Sequence, residues 1–298
     1  MLKFYDAGKV LLYLRELEAK VPVFIEVHPS LACNHNCVWC RYDHSDQELS
    51  YDYLMNLLVK YPRVRGVRIT GGGEPLMNKN IITFIRECFN RGIQTGIETN
   101  GSLLNDEDID TISRCCRYCR ISLDAATPET HRALHRTDDF TVVTENIRKL
   151  RAAQVRELGL SYLVTARNVG EIPRLEDLAL PVDYIHFKPL IQGIDEKTRR
   201  KAVRLIKEST YLTGLRTRYD RIEQDDVCNN RLPCRISNLI RVIGGDSREY
   251  VCCEQVYVPA FEIGIWNGDT SRCLTCRYNG YNEILESYYS NTISREFL

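Results

Sequence analysis

Strand-like and helix-like segments alternate along the chain between residues 23 and 188. Runs rich in β-branched and aromatic residues, which are typical of strands, fall at 23–28, 66–70, 93–99, 118–124, 158–165 and 182–188. Helical patterns of apolar residues lie between them at 50–60, 80–90, 106–116 and 141–153. Such alternation predicts parallel strands joined by helical crossovers. We therefore expect an α/β fold, a partial (β/α)6 barrel of the TIM type, which stays open because a complete barrel has eight units.

The pattern changes near residue 214, where cysteines become frequent. The apolar runs 239–243 and 250–252 flank Gly244, Gly245 and Asp246, and this arrangement predicts a β-hairpin. We expect two domains, a barrel over residues 1–213 and a small module of β-hairpin and helix over residues 214–298. A CxxC pair and two further cysteines around the hairpin supply four thiolates, enough for a metal site in that module.

A run of three cysteines, Cys33, Cys37 and Cys40, follows the first predicted strand with CxxxCxxC spacing. Three thiolates can hold three irons of a 4Fe-4S cluster and leave the fourth iron open to a small molecule. Structural zinc needs four closed ligands, and His35 lies in a loop too short to reach back as the fourth. The run therefore predicts an iron-sulfur site at the carboxyl end of the barrel strands, where barrel enzymes carry their active sites.

Composition excludes several classes of partner. The 40 basic and 40 acidic residues give a formal net charge of +0, so nothing draws the chain toward nucleic acid or an anionic membrane. There is no apolar stretch near the roughly 18 to 20 residues of a membrane span and no secretory signal, so we expect a cytoplasmic protein. In such a protein the 13 cysteines indicate metal ligands and reactive thiols, not disulfides.

Two motifs in the expected order resemble the radical S-adenosylmethionine (radical SAM) superfamily. The CxxxCxxC run carries an aromatic residue, Trp39, before its third cysteine, and Gly71-Gly72-Gly73-Glu74-Pro75 follows the second strand as the GGE motif of that family does. The resemblance implies that the open iron binds SAM and that reductive cleavage gives a 5'-deoxyadenosyl radical. That radical would take a hydrogen atom from a substrate carbon.

The resemblance also implies a set of SAM-binding residues at the carboxyl ends of the strands. The glycines let backbone approach the methionyl part of SAM, and acceptor groups near Glu74 receive its ammonium hydrogens. The full set expected around the cofactor is Trp39, Gly71, Gly72, Gly73, Glu74, Asn100, Ser122, Asp124 and Asn168. Asparagine after a strand is also ordinary turn chemistry, which is the alternative for Asn168.

The C-terminal cysteines resemble the twitch module, a truncated SPASM domain that encloses one auxiliary 4Fe-4S cluster. The order of cysteine, hairpin, cysteine and CxxC matches Cys234, Cys252, Cys273 and Cys276. Two thiols then remain, Cys228 and Cys253, and strand alternation would turn Cys252 and Cys253 to opposite faces. A thiol near a carbon radical is a hydrogen-atom donor, whereas the alternative is a passive buried cysteine.

Two reactions are consistent with these features. An epimerase would return a hydrogen atom from Cys253 or Cys228, and a dehydrogenase would pass an electron to the auxiliary cluster. We favour epimerisation because of the two spare thiols, Cys253 and Cys228. We favour a carbohydrate or aminoglycoside as the substrate because only about twenty residues precede the first strand, whereas peptide-modifying relatives commonly carry an added N-terminal domain. A peptide substrate is the alternative, and a flavodoxin or ferredoxin is the expected electron donor. A non-catalytic iron-sulfur carrier would leave the segment 71–75 unexplained.

Other cysteines and histidines are assigned structural roles. Cys88 falls on the apolar face of its helix, and Cys115, Cys116 and Cys119 are expected to be buried as small hydrophobic residues. His131 and His135 have the i, i+4 spacing of a metal pair, but the neighbouring arginines favour a solvated helix.

Overall fold

The computed structural model describes residues 13–190, 194–219, 222, 234–253, 256–258 and 262–265. Its α-helices are Leu14–Glu18 (α1), Tyr51–Lys60 (α2), Ile81–Asn90 (α3), Asp106–Cys115 (α4), Pro128–His135 (α5), Phe140–Ala152 (α6), Leu175–Leu178 (α7), Glu196–Glu208 (α8) and Thr210–Thr213 (α9). Its strands are Phe24–Val27 (β1), Gly66–Ile69 (β2), Gln94–Thr99 (β3), Cys116–Ser122 (β4), Leu158–Val164 (β5), Tyr184–Pro189 (β6), Arg216–Arg218 (β7), Ile240–Ile243 (β8) and Glu249–Tyr250 (β9).

One sheet contains these strands in the order β7-β6-β5-β4-β3-β2-β1-β8-β9. Neighbours from β7 to β8 are parallel, and only β9 runs antiparallel to its neighbour. Within the described ranges, β7 and β9 lie at the two edges and do not pair with each other. The predicted α/β class, a partial barrel of the TIM type, is confirmed.

Two features of the sheet were not predicted. Strand β7 was not predicted; it pairs in parallel with β6, with Ile185 opposite Thr217, and follows the six predicted strands of the barrel sheet. The predicted hairpin is present, with Val242 opposite Tyr250, but its first strand also pairs in parallel with β1 and so extends the barrel sheet. The hairpin ends at Tyr250, so the expected alternation of the two adjacent cysteines beyond it does not apply. The boundary between residues 213 and 214 remains a prediction.

The main apolar core lies between the outer face of the sheet and the helices. Helix α3 contributes Phe84 and Ile85, and α6 contributes Ile147 and Leu150, all completely buried. Each such side chain stabilises the fold by about 1.5–3 kcal/mol through loss of apolar surface to water. As predicted, Cys88, Cys116 and Cys119 are buried, and all three lie in this core. Cys115 was also expected to be buried, but it is only partly buried at the edge of the core. No helix in the described ranges combines the length and the apolar character that crossing a bilayer requires.

The inner face of the sheet is polar. Arg68 on β2 donates to Glu26 on β1 (2.8 Å) and, through two nitrogens, to Glu98 on β3 (2.7 and 2.9 Å). Arg120 on β4 forms a second ion pair with Glu98. Although burial opposes ionisation, the two guanidinium groups hold the pKa of Glu98 well below its usual range. The floor of the barrel is therefore an ionised, hydrogen-bonded network, not an apolar plug.

Candidate active site

The cysteine loop lies at the carboxyl end of β1 and is held by backbone contacts on two sides. Its amides at Asn36 and Val38 donate to the carbonyls of His135 (3.2 Å) and Leu134 (2.9 Å) at the end of α5. On the other side, the amide of Glu74 donates to the Ala32 carbonyl (2.8 Å). These contacts place all three cysteines of the loop on one cavity at the mouth of the barrel, lined by Cys33, Cys37 and Cys40 among others.

The electrostatics of this cavity disfavour thiolates that lack a cationic partner. Burial, together with the Glu74 carboxylate and the neighbouring Cys40, raises the pKa of Cys33 to about 11. Burial raises the pKa of Cys37 further, with Asp124 and the other two cysteines adding to the effect. Because metal ligands are thiolates, a cationic group between the sulfurs is what would reverse these shifts. Three soft sulfur donors at one cavity fit the iron-sulfur site expected from the sequence.

Within the described part of the chain, one combination of histidine, cysteine and carboxylate ligands could hold a single metal ion. It consists of His35, Cys37 and His135, whose ligand atoms lie within 4.8 Å of one another. A zinc ion there would occupy Cys37 and so compete with the three-cysteine site. The two possibilities are distinguished by which metal the protein carries.

The glycine loop after β2 is packed too closely for side chains. A Cβ atom at Gly73 would lie 2.0 Å from the Ala32 carbonyl oxygen, and one at Gly72 would lie 2.6 Å from the Tyr257 hydroxyl. A Cβ atom at Gly71 would meet the carbonyl of Gly73 at 1.6 Å. These contacts show that glycine is required for the loop to pack against the cysteine loop and the C-terminal segment.

Glu74 is buried and its carboxylate is fully engaged by the protein. One oxygen accepts from the amide of Leu76 (3.1 Å) and from the Thr99 hydroxyl, and the other accepts from the amide of Asn100 (2.8 Å). Burial raises the pKa of Glu74, while these three donors oppose the rise. The carboxylate therefore joins the glycine loop to the end of β3.

Asn100, Ser122 and Asp124 all line the cavity, as does Trp39. The Asn100 side chain donates to Asn34 of the cysteine loop at 2.8 Å, so it also ties β3 to that loop. Asp124 accepts from the amide of Leu163 at 2.5 Å through one oxygen. Its other oxygen lies 3.0 Å from His135. These residues surround the cysteines on the side of β3 and β4.

Asn168 does not line the cavity. It is completely buried, and its amide donates to the carbonyls of Asp124 and Leu163, both at 2.8 Å. Its side-chain oxygen accepts from the amide of Thr165 at 2.7 Å. These contacts support a structural role at the ends of β4 and β5.

Cys253 is buried and lines the same cavity as the three cysteines of the loop. Arg41, next to Cys40, donates to the Cys253 carbonyl at 3.3 Å and so holds the two segments together. Cys234 and Cys252 pack against a second apolar cluster that includes Val242. The other three predicted site cysteines lie outside the described residues: Cys228, Cys273 and Cys276.

A hydrogen-bonded chain links the C-terminal segment to the barrel floor. The amide of Gly245 donates to the Tyr257 hydroxyl (3.1 Å), which lies 3.2 Å from Nδ1 of His28. Nε2 of His28 lies 3.1 Å from the Glu26 carboxylate. Because a carboxylate only accepts, Nε2 donates to Glu26 and Nδ1 accepts from the Tyr257 hydroxyl. The chain fixes the segment after the hairpin against the cavity wall.

The interpretation of His131 and His135 as parts of a solvated helix was wrong. Their exposed fractions are 0% and 2%, because their face of α5 packs against the cysteine loop. Arg132 and Arg136 are exposed, as their charges suggested. The exposed arginines and the buried histidines lie on different faces of this short helix. The exposure of the arginines therefore did not indicate the exposure of the histidines beside them.

The model of the radical SAM superfamily matches residues 27–179, which is slightly more than half of the chain. This chain belongs to the radical SAM superfamily. Its members bind SAM and a 4Fe-4S cluster, and the matched segment contains the cysteine loop, the glycine loop and the cavity-lining ends of β3 and β4.

Among curated relatives, the chain is 27% identical over 224 residues to GTP 3',8-cyclase of Sinorhizobium medicae, covering 66% of this chain and 64% of that one. It is 26% identical over 163 residues to the mycofactocin maturase of Mycobacterium ulcerans, covering 53% of this chain and 44% of that one. In both cases the match spans less than two thirds of the relative's length.

Solved structures share the fold at low sequence identity. SuiB of Streptococcus suis bound to its precursor peptide SuiA has a TM-score of 0.68 at 15% identity, covering 93% of this chain and 74% of that one. A structure of anSMEcpe with bound AdoMet and a peptide has a TM-score of 0.66 at 16% identity, covering 82% and 77%. These likenesses establish the radical SAM fold.

Proposed function

We propose that this radical SAM enzyme inverts one carbon centre of a carbohydrate or aminoglycoside, with Cys253 as the hydrogen donor. Cys33, Cys37 and Cys40 would hold the cluster, and the surrounding glycine loop, Asn100, Ser122 and Asp124 would contact SAM. When bound, the cluster and SAM together supply a 5'-deoxyadenosyl radical that takes a hydrogen atom from carbon. The residues of the chain then determine where the substrate lies and how its radical is quenched.

The position of Cys253 is the observation that carries this proposal. The exposed fraction of Cys253 is 4%, yet the residue lines the cavity that contains the three cysteines of the loop. In the proposed step the S–H bond of Cys253 breaks and a C–H bond forms on the face opposite to the abstracted hydrogen. The sulfur radical that remains takes one electron from a flavodoxin- or ferredoxin-type donor and one proton from water.

The polar floor of the cavity supports a polar substrate. Glu26, Arg68, Glu98, Ser161 and Lys188 all line it. Charged and hydroxyl groups at this depth can bind the hydroxyl and amino groups of a sugar in addition to their contacts with one another, whereas an apolar substrate would displace water from them and replace none of its hydrogen bonds.

We also propose a second 4Fe-4S cluster in the module that follows residue 213. Cys234 and Cys252 would be two of its ligands, and Cys273 and Cys276 the others. The packing of Cys234 and Cys252 on one apolar cluster supports this assignment. If the substrate radical lost an electron to that cluster, the product would be a dehydrogenated alcohol, which is the second candidate reaction.

A peptide substrate is the second candidate class. The mycofactocin maturase among the relatives and the peptide-bound structures with the same fold support it. The two substrate classes predict different ligands for one cavity, so they can be tested on the same protein.

The test uses anaerobically reconstituted protein with dithionite and SAM in deuterated water. Formation of 5'-deoxyadenosine, measured by chromatography, tests SAM cleavage. With a panel of aminoglycosides and amino sugars, we expect one deuterium at an inverted carbon and no change in oxidation level. Cys253→Ala should still cleave SAM and consume substrate but give no inverted product, whereas Cys115→Ala, outside the cavity, should behave as the wild type. A product two mass units lighter, formed equally by both variants, would establish the dehydrogenase instead.

A further inference from the structure

Three buried histidines and two aspartates form a cluster beside the cysteine loop, which we call the histidine cluster. It consists of His35 of the loop, His131 and His135 of α5, Asp124 after β4 and Asp139 before α6. The exposed fractions of the histidines are 3%, 0% and 2%. The rings of His131 and His135 stack with centroids 4.5 Å apart and an angle of 8° between their planes.

The hydrogen positions in the histidine cluster follow from its geometry. The Asp139 carboxylate lies 2.8 Å from Nε2 of His35 and 2.8 Å from Nε2 of His131. Since a carboxylate only accepts, both nitrogens donate to it. Nδ1 of His35 is then an acceptor, and it lies 3.2 Å from Nδ1 of His135. With both rings neutral, the hydrogen between these two nitrogens therefore belongs to Nδ1 of His135, whose Nε2 lies 3.0 Å from an Asp124 oxygen but is not aligned to form a hydrogen bond with it.

The same Nδ1 of His135 lies 3.4 Å from the Cys37 sulfur. Its hydrogen thus points into the space between His35 and Cys37 and can be shared by both. The backbone keeps this contact in place, because the carbonyls of Leu134 and His135 accept from the amides of Val38 and Asn36. His131, by contrast, stacks on His135 but makes no described contact with any of the three cysteine sulfurs.

We propose that His135 is a positioning residue that donates a hydrogen bond to the Cys37 sulfur and thereby raises the reduction potential of the cluster held by the cysteine loop. The proposal rests on the proposed role of Cys37 as an iron ligand. A hydrogen bond to a ligand sulfur stabilises the more negative, reduced state and so makes reduction easier. Because SAM cleavage begins with that reduction, His135 would determine how strong a reductant the enzyme needs.

The experiment is a redox titration of reconstituted protein without SAM, followed by EPR of the reduced protein before and after SAM is added. His135→Leu should move the midpoint to a lower potential than that of the wild type at unchanged iron content. His131→Leu removes the same imidazole volume from the same cluster but no donor to sulfur, so its midpoint should match the wild type. His135→Asn, whose amide nitrogen takes the place of Nδ1, should restore the potential, whereas His135→Gln, which reaches the Nε2 position, should not.

Two outcomes would overturn the proposal. A His135→Leu midpoint equal to that of the wild type would show that the hydrogen bond does not act on the cluster. Equal shifts in His131→Leu and His135→Leu would show that only packing matters. If His135→Leu assembles no cluster, the comparison of His135→Asn with His135→Gln tests the proposal, and equal midpoints in these two variants would overturn it. Absence of any SAM-sensitive EPR signal in the wild type would instead refute the cluster assignment itself.

Discussion

At the scale of single residues, Glu74 shows how one carboxylate serves both a fold and a site. Its two oxygens accept hydrogen bonds from the amides of Leu76 and Asn100 and from the Thr99 hydroxyl. None of these three donors is therefore left without an acceptor. The carboxylate thus determines the path of the glycine loop along the cavity. Its contribution to SAM binding would then come through the backbone that it orders as well as through its charge.

Glu74→Ala should weaken SAM binding while iron content stays unchanged. Loss of the Glu74 charge and of the backbone order that it maintains should cost about 1.5 to 3 kcal/mol, which is roughly a ten- to a hundredfold loss of affinity. Two unpaired amides should also lower the stability of the apoprotein by about 1–3 kcal/mol each. Calorimetric titration with SAM and thermal unfolding measure the two effects. Glu107→Ala, at an exposed ion pair with Arg86, is the control and should change neither. Wild-type affinity in Glu74→Ala would reduce the segment 71–75 to a turn.

The cysteine loop could be predicted from sequence because its spacing alone specifies three ligands. The histidine cluster could not, because His35 meets His135 and Asp139 at sequence separations of 100 and 104. The local sequence showed only the i, i+4 spacing of His131 and His135 on α5. The arginines beside them favoured a solvated helix over a functional pair. The sequence could not distinguish Asn168 from Asn100 either, because both follow strands. Only the structure shows that Asn100 lines the cavity and Asn168 does not.

At the scale of elements, the six central strands could be predicted because their outer faces carry regular apolar residues. Strand β7 could not, because Arg216–Arg218 has no apolar residue and gains its place only by pairing with β6. The parallel pairing of β8 with β1 was also hidden, since a hairpin pattern specifies its own partner and not a third strand. Contacts between segments distant in the sequence determine both the position of β7 and the pairing of β8 with β1.

Glycines inside the strands make room for aromatic rings from the next strand. A Cβ atom at Gly96 on β3 would lie 1.8 Å from the ring of Tyr118 on β4, which pairs with it. Tyr184 covers Gly159 in the same way, at 2.1 Å. The Tyr118 hydroxyl donates to Glu98 of the ion network at 3.2 Å. These glycines are therefore positions at which the chain tolerates no added atom.

Gly96→Ala should therefore destabilise the apoprotein by about 1–3 kcal/mol or more, as overpacking of a dense core does. Tyr118→Leu should recover part of this loss in the double variant, because it removes the ring that the new methyl group meets. Thermal unfolding of the single and double variants measures the coupling. Gly170→Ala, where a Cβ atom would meet only the flexible end of Lys201 at 3.4 Å, should be neutral. Additive effects at 96 and 118 would contradict the steric explanation.

At the scale of the whole molecule, the described part of the chain contains two apolar clusters. The larger cluster supports the barrel helices, and the smaller one joins α1, the start of β1 and the hairpin through residues such as Leu17, Phe24 and Tyr250. Cys234 and Cys252 pack on the smaller cluster, and the cysteine loop lies above the barrel mouth. The C-terminal cysteines lie on a segment of the sequence separate from the cysteine loop, so we expect the two metal sites to assemble independently.

The iron content of cysteine variants tests this independence. Reconstituted wild type should carry about eight irons, as two 4Fe-4S clusters require. The triple variant at Cys33, Cys37 and Cys40 should retain about half, because the C-terminal ligands and the apolar cluster beneath them are unchanged. A triple alanine variant at Cys88, Cys115 and Cys119, none of which lines the cavity, controls for loss of thiols as such and should keep its iron if it folds. Complete loss of iron in the first variant, or zinc in the wild type at the site of His35, Cys37 and His135, would show that the two sites are not separate 4Fe-4S centres.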